Sequence, residues 1–131
     1  MIVQPWLDGE AMSLSLLVNR HNDVEIVSVN RQHIDVAEQG ALSLAGITRG
    51  VTVDASTRTR LQQLAAGIVA SIEGLRGFVG VDFILDRRGT PVVLEVNPRL
   101  TTAYVGLSEL LGRNLAGDIL RATLPEHQAH V

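Results

Sequence analysis

The sequence predicts an α+β domain, with a mostly antiparallel sheet and helices packed on one face. Three observations lead there. Apolar residues alternate with polar ones over Ala11 to Val18, switch to helical spacing between Asp54 and Leu75, and return to strand-like runs after Gly77. The strand-like runs come in neighbouring pairs joined by short polar segments, as hairpins do. No repeat, low-complexity tract or linker divides the 131 residues, a length that supports one core.

Along the chain, Met12, Leu14, Leu16 and Val18 lie on one side of the first strand, with Ser13 and Ser15 on the other. Asn19 to Asp23 is polar and turn-like, and the β-branched stretch Val24 to Asn30 is the expected hairpin partner. Gln39 to Thr52, punctuated by Gly40, Gly46 and Gly50, reads as an irregular excursion. Asp54 or Ser56 can then cap a helix whose face is Leu61, Leu64, Ala65, Ile68, Val69, Ile72 and Leu75, ended by Gly74 and Gly77. Gly77 to Leu85 and Pro91 to Val96 form a second hairpin around Asp86 to Thr90. Two helical stretches follow, Ala103 to Leu111 and Asn114 to Thr123, broken at Gly112. The resulting order is β-β-loop-α-β-β-α.

Composition narrows the class. Hydrophobic residues make up 46% of the chain, enough for a packed core. The longest apolar run is far short of a membrane span, and the first residues lack the basic region and cleavage site of a secretory signal. There is no cysteine, which excludes disulfides and thiolate metal sites and fits a cytoplasmic protein. A net charge of −3 argues against a nucleic-acid surface. All 11 basic residues are arginine, so phosphate chemistry that uses lysine is not available to this chain. The four histidines show no metal-ligand spacing and no serine nucleophile motif is present, which leaves a small hydrolase unsupported.

The second hairpin carries the chemistry. A turn centred on Arg88 and Gly89 pairs Asp86 with Pro91, Asp82 with Glu95, and Gly80 with Asn97. One face is then apolar: Val79, Val81, Phe83 and Leu85 opposite Val92, Leu94 and Val96. The other carries Gly80, Asp82, Ile84, Val93, Glu95 and Asn97. Like charges facing across a strand pair are destabilising, unless a cation lies between them. Two carboxylates and an amide are hard oxygen donors suited to Mg²⁺ or Mn²⁺. The competing reading is a solvated sheet face on which Asp82 and Glu95 pair with arginines. Arg99 shares the parity of Asn97 and is either a contact for a phosphoryl group or an anionic intermediate above the metal, or a surface arginine. Thr101 and Thr102 cap the following helix or flank an anion at its start.

The stretch GVDFILDRRGTPVVLEVNPR, residues 80 to 99, resembles the ATP-grasp superfamily, with an acidic residue on one strand, E-x-N on the next and a step of 13 residues from Asp82 to Glu95. The resemblance implies that Asp82, Glu95 and Asn97 bind the magnesium of Mg-ATP and that Arg99 meets the acyl-phosphate. VQPWLDGEAMS, near the start, is similar to the family's passage from small to large lobe. It implies an adenine hinge at Gln4, Trp6 and Leu7, with Asp8 or Glu10 on the ribose. The Trp6 side chain itself has a second reading, as a core or lobe-contact aromatic. The chain would then be the C-terminal large lobe of an ATP-grasp fold: a single partial domain over 1–131, lacking the N-terminal domain and the small lobe with its lysines. The implied activity of the parent protein is an ATP-dependent ligase that joins a small-molecule carboxylate to an amine or thiol through an acyl-phosphate, and this lobe alone would be incomplete. The alternative is a non-catalytic module: either a metal- or nucleotide-binding regulatory piece, or a stand-alone lobe that self-associates as a homo-oligomer through the face where the missing half would sit.

Overall fold

A computed structural model describes residues 9–123. Five strands form one antiparallel sheet: β1 (Gly9–Val18), β2 (Val24–Val36), β3 (Leu42–Thr48), β4 (Gly77–Asp86) and β5 (Pro91–Asn97). Their spatial order is β3-β2-β1-β4-β5. β1 is central, which explains why its alternation is so regular: Met12, Leu14, Leu16 and Val18 are all buried. They pack with Val29 of β2 and with Val79, Val81 and Phe83 of β4. Helix α1 (Ala55–Ser71) covers this face with Leu61, Ala65 and Val69. Its N-cap is Asp54, whose carboxylate accepts from the Thr57 amide at 2.7 Å.

The other face is divided. At one end it is apolar: Leu17, Val27 and Phe78 pack against α2 (Leu107–Leu111), α3 (Leu115–Thr123) and Tyr104. The Phe78 and Tyr104 rings meet edge to face, 5.6 Å apart. Arg113 ties the C-terminal segment to the sheet through Glu25 of β2 at 2.6 Å and Asp118 of α3 at 2.8 Å. The expectation of helices on one face thus holds for α1, whereas α2 and α3 sit on the opposite face. The physical reason is parity: Leu17 and Phe78 alternate with the first core's residues and need their own cover. A bulge in β2, where Ser28 pairs with Ser15 but Ile26 with Leu16, leaves Val27 unpaired and adds it to the second cluster.

Two further elements depart from expectation. The excursion over Gln39 to Thr52 contains β3, an edge strand whose alternation is broken between Leu44 and Gly46 by a bulge at Ala45. The stretch from Ala103 to Leu111 is a 3-10 turn at Thr102–Tyr104 followed by the five-residue α2 rather than one helix. Gly112 closes α2 with φ of 65°, a left-handed cap that glycine adopts without cost.

Candidate functional site

The remaining part of the second face is polar, and its residues form cross-strand rows. One row runs Asn30, Ser13, Asp82, Glu95 across β2, β1, β4 and β5. The next runs Ser28, Ser15, Gly80, Asn97. The expected pairings of Asp82 with Glu95 and of Gly80 with Asn97 are therefore present. Nearer the turn the expected register fails. Asp86 N–H donates to Thr90 at 3.0 Å, and the Asp86 carboxylate accepts from Arg88 and Thr90 amides, so the loop closes one residue tighter. The strands absorb the mismatch at Leu94: Phe83 pairs with Val93, Leu85 with Pro91, and Leu94 is 59% exposed. Leu94 is thus a bulge residue rather than a core residue, and Val92 lies opposite Ile84.

A cleft of about 200 Å³ lies over these rows, lined among others by Asp82, Glu95, Asn97, Arg99 and Thr101. Asn97 is buried. Thr101 reaches across Gly80, where a Cβ atom would stand 2.6 Å from the threonine methyl. The absence of a side chain at residue 80 is what lets the segment after β5 fold back over the sheet. Arg99 is exposed, donates to the Leu100 carbonyl at 3.2 Å, and is near enough to Asp82 to act on its charge.

The floor is a buried hydrogen-bonded cluster. Asn30 donates to Ser13 and Ser15, each at 3.1 Å, and accepts from Ser28 at 2.7 Å. Ser28 in turn accepts from the Gly50 amide at 3.0 Å. No buried side-chain polar atom among the described residues lacks a partner. Gln32, also on β2, donates to Asp82 Oδ1 at 3.0 Å. Gln32, which lines the cleft, and Asn30, which holds the cleft-lining Ser13, are polar residues of the site that sequence reasoning missed. Their signal was the polar parity of VSVNRQH, where Ser28, Asn30 and Gln32 alternate with Val27, Val29 and Arg31.

Burial pushes the Asp82 carboxyl above its ordinary value; the Gln32 hydrogen bond pulls it back, the Glu95 charge adds to the rise and Arg99 opposes it. Among the described residues no three His, Cys, Asp or Glu groups cluster as a cation cage. Asp82, Glu95 and the Asn97 amide are nonetheless an all-oxygen donor set on one cleft, and they fit a hard divalent ion that keeps water or phosphate oxygens for its other positions. Of the remaining residues singled out in the sequence, Gln4, Trp6, Leu7 and Asp8 lie outside the described residues. Glu10 is not among the cleft-lining residues; it is exposed and pairs with Arg31 at 3.4 Å.

Comparison with known proteins agrees with this fold. The ATP-grasp domain model matches residues 1–103. Tyramine–L-glutamate ligase of Methanocaldococcus jannaschii is 33% identical over 127 residues, which cover 92% of this chain and 38% of that protein. A structure assigned to the ATP-grasp superfamily, from Archaeoglobus fulgidus, superposes with a TM-score of 0.67 at 31% identity, over 85% of this chain and 34% of the other. N5-carboxyaminoimidazole ribonucleotide synthetase from Thermotoga maritima shares the fold with a TM-score of 0.70 at 15% identity, over 93% of this chain and 31% of that one. The chain spans 38% and 39% of the lengths of two curated relatives. With most of its length matched by the domain model, the chain belongs to the ATP-grasp family.

Proposed function

We propose that this chain is the nucleotide- and metal-binding lobe of an ATP-dependent ligase that joins a carboxylate to an amine through an acyl-phosphate. The observation that carries the reading is the convergence of Asp82, Glu95 and Asn97 on one cleft in a chain of this family. These three would hold Mg²⁺ or Mn²⁺. Bound there, the ion supplies positive charge to the phosphate oxygens of ATP.

The chain's own residues then have distinct tasks. Asp82 and Glu95 present their carboxylates from neighbouring strands of one rigid sheet, so little reorganisation is needed on binding. Arg99 offers a guanidinium to the carboxylate substrate or to the phosphoryl group as it transfers, because its side chain is exposed beside the cleft. Gln4, Trp6 and Leu7 form the adenine hinge, and Asp8 or Glu10 takes the ribose. The chain has no lysine, so the remaining cations around the triphosphate come from its arginines or from an opposing lobe. The tyramine–L-glutamate ligases among its relatives suggest an amino acid carboxylate as acceptor and a primary amine as nucleophile.

Titration calorimetry with ATP, with and without Mg²⁺, tests this reading. Magnesium-dependent nucleotide binding that disappears in Asp82→Asn and in Glu95→Gln is the expected outcome. Unchanged binding in both variants would sink the assignment.

A further inference from the structure

We propose that Gln32 is a positioning residue for the Asp82 carboxylate, fixing which of its oxygens faces the metal. The inference rests on the metal reading above and extends it to a strand that supplies no ligand. Gln32 sits on β2 and Asp82 on β4, with β1 between them. The 3.0 Å hydrogen bond from Gln32 Nε2 to Asp82 Oδ1 therefore spans an entire strand. It can do so because the β1 residue paired with Asp82 on that face is Ser13, whose small side chain lies low in the floor and is held by Asn30.

The chemical type of the partner matters. An arginine or lysine at this position would neutralise Asp82 and compete with a cation. A neutral amide donor restrains the carboxylate through one oxygen and leaves its negative charge and its Oδ2 atom for a ligand. Arg99 acts on the Asp82 charge from the rim of the cleft and donates to the Leu100 carbonyl, whereas Arg31 is paired with Glu10 and Arg49 donates to the Ala103 carbonyl. Gln32 is also firmly placed, since its strand is anchored one pleat away by the buried Asn30 cluster. A ligand whose rotamer is fixed before binding favours a small ion with strict geometry over a larger, more permissive one.

The test uses the whole chain and Mn²⁺ as a paramagnetic probe, with free ion measured by electron paramagnetic resonance. Gln32→Met keeps side-chain length but removes the donor, and Gln32→Asn keeps the amide but is too short to cross β1. Both should weaken Mn²⁺ binding by about 10-fold, within the range seen when a partner of a metal ligand is removed. Both should also lose preference for Mn²⁺ over Ca²⁺, while the melting temperature in chelator stays at the wild-type value. Equal Mn²⁺ affinity in wild type and both variants overturns the positioning role and leaves the metal site standing. Equal losses for Mn²⁺ and Ca²⁺ with a lowered melting temperature overturn it too, by making Gln32 merely structural. If the wild-type chain binds no Mn²⁺, the metal reading fails and this role fails with it.

Discussion

Asp82 and Glu95 face each other across β4 and β5 at the last regular pair before the hairpin slips register, with Leu94 bulging out immediately beside them. The bulge lets the tight Asp86–Thr90 turn coexist with a pairing that juxtaposes two carboxylates. That juxtaposition opposes folding in the absence of a cation.

Removing one of the two charges should therefore stabilise the metal-free protein. Asp82→Asn is expected to raise stability in chelator by roughly 0.2–1 kcal/mol, the range for cross-strand pairs. The same change should abolish any stabilisation by added Mg²⁺. Chemical denaturation with and without the ion measures both effects.

The pH dependence follows from the same carboxyl. Burial, first among its causes, raises the folded-state value of Asp82, so the folded chain holds this proton more tightly than the unfolded one. Its contribution to stability is favourable below the ordinary carboxylate value and is lost as pH rises through the raised folded value. Metal-free wild type should show this falling component in melts across the weakly acidic range, and Asp82→Asn should lack it.

Asp54 behaves in the opposite sense. Hydrogen bonds from Thr57, the backbone amide foremost, hold its carboxyl below the ordinary value. Its contribution is present above the unfolded value and lost as pH falls through the folded one. Asp54→Ser should keep the cap of α1 and remove this acid-sensitive component, whereas Asp54→Ala should lower the melting temperature at neutral pH.

The floor of the cleft should be costly to disturb. Asn30 is fully buried and bonds three serines, so Asn30→Ala leaves several of these groups short of partners. A loss of about 1–3 kcal/mol is expected from urea denaturation, larger than for any substitution at the exposed Arg99.

Gly80→Ala probes how the segment after β5 is seated. The new methyl would stand 2.6 Å from Thr101 Cγ2, so the cleft-lining Thr101 must shift. Mg²⁺ affinity should fall, and adding Thr101→Ser, which removes that methyl, should recover most of it. Isothermal titration of the single and double variants decides.

The sequence made the core and the two carboxylates legible for a clear reason. Met12 to Val18 and Phe78 to Phe83 lie in central strands, where alternation is strict because both neighbours constrain it. Edges were harder to read. β3 hides its alternation behind the bulge at Ala45, and β5 shifts parity at Leu94 because the turn prefers a tighter loop. Gln32 went unseen because a hydrogen bond that crosses a whole strand depends on the order β2-β1-β4, which local periodicity does not encode. The second helical layer was misplaced for a related reason: Leu17 and Phe78 share a face with Ser13 and Asp82, so one sheet face is apolar at one end and polar at the other.

The most direct test of the metal site is paramagnetic broadening by Mn²⁺ in two-dimensional amide spectra of the chain. Substoichiometric Mn²⁺ should erase the side-chain amide signals of Asn97 and Gln32 and the backbone signals around Asp82, Glu95 and Thr101 first, and Glu95→Gln should suppress the effect. Broadening centred on other acidic residues, such as Glu25 and Asp118 around Arg113, or no selective broadening at all, would contradict the account.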